Sequence, residues 1–465
     1  MARTQDGEHD STSIASADNP ENYRYDYNDK TKLSDDRSEA AEPQRTTYFE
    51  TLLHMLKVSL GTGILAMPKA FSNAGYLLGT IGTFAIGILS TYTMQMLINL
   101  EHELCLKRRV PNLTYAETFE AAFQEGPKLF RGLANSAGFT CKLILLLFQG
   151  GASCVYVVFI SDNIKAVGDQ YFGPIDIRLY MLYLLVPLIL ICWLRNFKYL
   201  APASSCGNIM TLICYCITFY YVLSDFPDCS TRDAVADLSR VPLFMCTVLF
   251  AMEAVGAVMP LKQEMKNPDQ FRGWFGVLNC AMIPITILYL MVGLLGYLKY
   301  GDDVKGSITL NLPAHELLAQ SVKLMLAFSV YICYAICNYV VFTILWGEFL
   351  KSKFEHSTWK IVWEYVVRTF IVVMTFVLAV SIPNLELFIS LIGALGLANL
   401  GIAFPVIMDL LLHWEEYKGF RFALFLTKNI FLMLVATYAF FIGGSTSIIN
   451  IYRKVILRNN DDIGS

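Results

Sequence analysis

About eleven apolar runs, most of them ~20 residues long and separated by short polar connectors, make up most of this chain. A soluble core does not use repeated segments of that length. A hydrocarbon layer ~30 Å thick does, because a helix rising ~1.5 Å per residue needs ~20 residues to cross it. Of 465 residues, 55% are hydrophobic and 16% charged, and the mean hydropathy is +0.48. The expected class is an all-α membrane protein, since unpaired strands cannot stand in lipid. A net charge of −3 gives nucleic acid no general attraction. The 12 cysteines fall mostly inside apolar runs and form no CxxC pair, so they read as small packing residues rather than metal ligands. Cys229 is the exception, because it falls in a polar loop.

The first ~45 residues are polar, rich in Asp, Ser, Asn and Glu, and lack a secretory signal pattern. The expected organisation is a disordered cytoplasmic tail over 1–47, a membrane domain over 48–450 and a short tail over 451–465. Helices one to five are expected over about 49–223, six to ten over about 241–412, and the eleventh over about 424–448. Lys and Arg gather in alternate loops: Lys107, Arg108 and Arg109, then Lys262, Lys266 and Arg272, then Lys418 and Arg421. That asymmetry places the N-terminus and these loops in the cytoplasm. The one sequon, Asn112-Leu113-Thr114, then lies on the cytoplasmic side and is not expected to carry sugar.

Two runs are poor continuous helices. The first, TLLHMLKVSLGTGILAMPKAF over 51–71, carries Gly61-Thr62-Gly63 at its centre and Pro68 beyond. A glycine costs about 1 kcal/mol in a helix interior, so a pair around one threonine marks an interruption. The sixth, VPLFMCTVLFAMEAVGAVMP over 241–260, carries Glu253, Gly256 and Pro260. Both end alike, in GILAMP and GAVMP. With five spans per unit the two runs are antiparallel, as an inverted repeat requires. Interrupted spans at corresponding positions point to a mid-membrane binding site, where exposed N–H groups attract a carboxylate and freed carbonyls an ammonium. A zwitterionic amino acid suits such a site.

The segments HMLKVSLGTGILAMPKAFSNAG (54–75), VLFAMEAVGAVMPLKQEMKNPDQF (248–271), YGDDVKGSITLNLP (300–313) and IPNLELFISLIGALGLANLGIAFP (382–405) resemble the proton-coupled amino acid transporters. These form a branch of the amino acid/auxin permease family, and the likeness is to its insect members in particular. It covers roughly 48 to 450. It implies eleven helices in a five-plus-five inverted repeat of the APC/LeuT type, with helices one and six broken, and import of small neutral amino acids by proton symport. The tail shows no clear acidic dileucine signal, so the plasma membrane is the expected location, with a lysosomal or endosomal membrane as the alternative. His54 matches a histidine of the family's first span, which implies a part in proton coupling. Three departures stand out: the family reads E-G-I-G where this chain has Glu253-Ala254-Val255-Gly256, often Asn where Ser59 stands, and often P-x-E-N where Lys262-Gln263 follow Pro260.

The substrate is therefore expected against Ser59, Gly61, Thr62, Gly63, Glu253, Ala254 and Gly256, with Tyr156 and Tyr331 or Tyr334 closing over it. His54 is either a proton acceptor, with an ordinary pKa near 6.5, or an interfacial histidine. Glu253, an acid at a helix centre that costs about 2.5–3.5 kcal/mol to insert, either binds the proton, steadies the unwound backbone or pairs with a cation. Lys57 reads as a snorkelling lysine. Protons as the coupling ion, amino acids and the bilayer are the expected partners, with no cofactor, metal or nucleic acid. No nucleophile–base arrangement or phosphate loop marks an enzyme. A proton-independent facilitator and an amino acid sensor signalling through its tail fit the same residues.

Overall fold

The computed structural model of the chain describes residues 45–59, 61–194, 201–224, 232–252, 255–350, 359–382 and 384–463. Glu253, Ala254, Cys229 and nearly all of the N-terminal tail lie outside the described residues.

Almost everything described is helix. The first apolar run is two helices, α1 (Tyr48–Ser59) and α2 (Thr62–Ala74), bent by 49° to one another. Gly75, at φ +86°, turns the chain sharply into α3 (Tyr76–Arg108). The first N–H groups of α3 have no intrahelical acceptors, and the 233–236 loop supplies them: Tyr76 donates to Asp233 and Leu77 to Ala234, at 3.1 and 3.0 Å. A Cβ at Gly75 would lie 2.6 Å from the Ala234 carbonyl oxygen, so the turn and the loop can meet only with glycine there.

The connector after α3 holds an amphipathic helix, α4 (Tyr115–Glu125), started by a capping box. The Thr114 hydroxyl accepts from the Glu117 N–H and the Glu117 carboxylate accepts from the Thr114 N–H. There follow α5 (Ala134–Phe172), α6 (Ile177–Cys192), α7 (Ala201–Leu223), and then α8 (Val241–Ala251) and α9 (Val255–Glu264), on either side of Glu253 and Ala254. Beyond them lie α10 (Val277–Tyr300), α11 (Leu317–Ile344) with a π turn to Leu350, and α12 (Lys360–Ser381). The tenth run is α13 (Leu385–Ile392), a π segment (Gly393–Ala403) and α14 (Phe404–His413). The last is α15 (Gly419–Tyr438), a π turn (Ala439–Gly443) and α16 (Gly444–Ile463).

Eight of these helical runs are long and apolar enough to cross a bilayer, and the α1–α2 pair is a ninth if it is one span. The expected fourth span, α6, is 16 residues, or about 24 Å of helix, and falls short of a ~30 Å core. The first half of the expected sixth is shorter still, because the run divides after Ala251. Helix α5 runs 39 residues to Phe172, well beyond the ~20 a span needs, and α16 continues through most of the region expected as a C-terminal tail.

The tenth run is the inner one, with 83% of its most apolar stretch buried in the protein, against 22% for α12. Within its π segment the Leu400 carbonyl accepts a 2.5 Å hydrogen bond from the buried Tyr115 hydroxyl of α4, which fastens the amphipathic connector to this inner helix.

Candidate functional site

Helix α1 ends and α2 begins within three residues, which leaves carbonyls of one and N–H groups of the other without intrahelical partners at the same place. Two buried tyrosines from other helices reach backbone carbonyls on either side of the break. Tyr215 of α7 donates to the Gly61 carbonyl at 3.2 Å, and Tyr289 of α10 donates to the Ser59 carbonyl. On the α2 side Gly61 is the N-cap in extended conformation and offers no side-chain oxygen to the first turn. The positive end of that helix dipole is therefore uncapped by side chains.

A cavity of about 30 Å³ opens at this junction. Gly61 and Thr62 form its backbone wall, Tyr156 of α5 and Tyr215 its aromatic walls, and Ser329 and Cys333 of α11 its far side. That volume holds a water or two. The Ser329 hydroxyl is fixed by Thr211 at 2.7 Å and by the Gly207 carbonyl at 3.1 Å, so α7 and α11 present it in a set position. The Ser59 hydroxyl is buried at the end of α1 and has no hydrogen-bond partner among the described residues.

The two interrupted pairs meet at Gly63 and Ala251. A Cβ on Gly63 would sit 2.5 Å from the Ala251 Cα, so α2 and α8 cross nearly backbone to backbone one residue beyond the cavity. At the other end, α9 is tied back to α1 and α3. Thr46, just ahead of α1, donates through its N–H to the Glu264 carbonyl, and the Lys266 N–H donates to the Thr46 carbonyl, at 2.8 and 2.9 Å. Lys262 of α9 pairs with Glu101 of α3, with the side chains 6% and 1% exposed.

Of the residues expected to hold substrate, Gly61, Thr62 and Tyr156 share the cavity, while Ser59 and Gly63 flank it. Gly256 is exposed on α9, and Glu253 and Ala254 lie outside the described residues. Tyr334 is buried elsewhere, bonded to Thr375 of α12 at 2.8 Å, and Tyr331 donates to the Pro187 carbonyl of α6. His54 stands on an exposed face of α1, five residues before the helix ends. Sequence reasoning did not single out Tyr215, Tyr289, Ser329 or Cys333. Nothing in their local sequence separates them from the packing residues around them.

The fold is that of the LeuT-type transporters. The chain superposes on Mhp1 in its inward facing conformation with a TM-score of 0.52, at 11% identity, over 90% of this chain and 92% of that one. Two curated relatives align over nearly their whole length. The "Proton-coupled amino acid transporter-like protein pathetic" of Drosophila melanogaster is 39% identical over 423 residues, 91% of this chain and 88% of that protein. The "Probable amino acid transporter skat-1" of Caenorhabditis elegans is 24% identical over 438 residues, 90% and 94% of the two chains. The family model described as "Transmembrane amino acid transporter protein" matches residues 44–449, which takes in the α1–α2 and α8–α9 pairs and the cavity at the α1–α2 junction. The chain is thus a multi-pass membrane protein of the transmembrane amino acid transporter family.

Proposed function

We propose that this protein imports small neutral amino acids by proton symport, with alternating access around the α1–α2 junction. The cavity at Gly61 and Thr62 carries the proposal. It sits where a helix end of negative character faces a helix start of positive character, the arrangement that holds an ammonium and a carboxylate at once. The cavity as it stands holds only a water or two, so substrate enters as its walls part, and a short side chain needs the least parting of the two tyrosines. In this reading α2's first N–H groups take the carboxylate, the carbonyls around Ser59 and Gly61 take the ammonium, and Tyr156 and Tyr215 cover the side chain.

The family match supports amino acid transport, and the printed name of the Drosophila relative supports coupling to protons. His54 and Glu253 are the proposed proton carriers, a histidine and an acid being side chains that proton relays in membranes use. The proposed topology puts the N-terminus and the Lys266–Arg272 loop in the cytoplasm, with α6 and the α8–α9 pair completing eleven crossings of the plasma membrane. Current recorded in oocytes at about pH 5.5 and about pH 7.5, with glycine, alanine and proline applied in turn, tests this. Inward current that grows at acid pH without sodium is the expected result. Tracer uptake with no current and no pH dependence would instead establish facilitated transport.

A further inference from the structure

A second recess lies on the outer face of the membrane domain, away from the substrate cavity. It is a groove of about 790 Å³ between α3 and α10, closed at one end by the turn over 269–274. Its composition changes along its length. At the far end Phe84, Ile88, Ile283 and Ile287 form the walls, each more than half exposed. Gly87 and Thr286 close the floor there, where the two helices touch. Toward the turn the floor becomes polar: Gln95 donates across to Asn279 at 3.1 Å, and Asn99 lies one turn farther along α3. At the mouth, Arg272 pairs with Asp269 at 3.1 Å, with the side chains 31% and 76% exposed, and Trp274 is 89% exposed.

We propose that this groove is a binding site for one glycerophospholipid with an ethanolamine headgroup. The length fits. From Ile88 to Asn99 is eleven residues of helix, about 16 Å, close to one leaflet of a ~30 Å hydrocarbon core. The gradient fits as well: an acyl chain against the isoleucines, the glycerol and ester groups over the amides of Gln95, Asn99 and Asn279, and the headgroup at the mouth. The mouth carries one charge of each sign. A guanidinium has five N–H donors and the bond to Asp269 uses one, which leaves Arg272 able to take a phosphate. The exposed Asp269 carboxylate accepts from a primary ammonium, which a choline headgroup cannot offer and a glycerol headgroup lacks. Trp274 beside it has the character of a membrane-interface anchor.

The test is native mass spectrometry of the delipidated full chain titrated with dioleoyl phosphatidylethanolamine, phosphatidylcholine or phosphatidylglycerol, in wild type, Arg272→Gln and Ile283→Trp. One tightly held phosphatidylethanolamine is expected in wild type, weakened about tenfold by the loss of a charged hydrogen bond in Arg272→Gln, and excluded in Ile283→Trp. Equal retention of the three lipids by wild type, or retention unchanged in both variants, overturns the site. Should a variant fail to fold, quenching of wild-type fluorescence by bromine-labelled lipids decides, read as the difference from Trp274→Phe. Stronger quenching by the ethanolamine lipid supports the site and equal quenching overturns it. Cross-linking of Trp274→Cys between two copies would assign the groove to a second copy of the chain, and overturn it too.

Discussion

Lys262 and Glu101 form an ion pair almost wholly out of water, 161 residues apart in sequence, joining the helix after the second interruption to α3. Removing either partner would leave the other as a buried charge, so the pair ties α9 to α3. Cys105 also donates to Glu101, at 3.3 Å.

Lys262→Met is expected to destabilise the protein by about 3–5 kcal/mol, because it strands Glu101 as a buried charge. The double variant Lys262→Met/Glu101→Leu is expected to recover most of that loss, since an apolar pair of similar volume removes the uncompensated charge. Thermal unfolding of these three proteins and of Glu101→Leu in one detergent measures the coupling. An additive double variant would show that the pair does not act as a pair.

Gly63 and Gly61 are expected to respond differently to alanine. A Cβ at Gly63 meets Ala251 backbone at 2.5 Å, whereas one at Gly61 meets nothing within 4 Å. Overpacking of that kind costs about 1–3 kcal/mol, so Gly63→Ala should lower both the melting temperature and transport. Gly61→Ala should leave the melting temperature near wild type, and any change in transport then reports on the junction itself.

Tyr215→Phe removes the hydroxyl that holds the Gly61 carbonyl. A neutral hydrogen bond is worth about 0.5–1.5 kcal/mol, so the KM for amino acid uptake should rise by about two- to tenfold. Uptake kinetics at fixed pH check this, with maximal rate and surface expression as controls. An unchanged KM would take the tyrosine out of the site.

His54→Ala lies on an exposed face of α1, and stability should change by no more than about 0.5 kcal/mol. Loss of acid-stimulated uptake with surface expression kept would therefore report coupling rather than folding. Retained acid stimulation would leave His54 a surface residue.

The backbone of the site was legible in the sequence, and its side-chain walls were not. Gly61 and Gly63 stand out because glycine is costly inside a helix and two of them flank one residue at mid-span. Tyr215 and Tyr289 do not, because spans that are apolar all round give no periodic face to tell which of 25 tyrosines turns inward. The Lys262–Glu101 pair was invisible for another reason: each residue reads alone as an interfacial charge, and only the packing of α9 on α3 brings them together. Boundaries failed where polar residues keep helical order. The stretch after Ser161 looks like a connector, yet Lys165 and Asp169 pair at 2.5 Å one turn apart and carry α5 onward. The π windings left no trace in composition, since they change hydrogen-bond spacing and not residue type.

The clasp between Thr46 and the end of α9 has a mechanical consequence. Together with the Gly63–Ala251 contact it pairs the four half-helices crosswise: α1 with α9 at one end, α2 with α8 at the other. Neither half of one run is therefore free of the other run: α1 cannot shift without carrying α9 or undoing the Thr46 bonds, and α2 cannot shift without displacing α8 at Ala251.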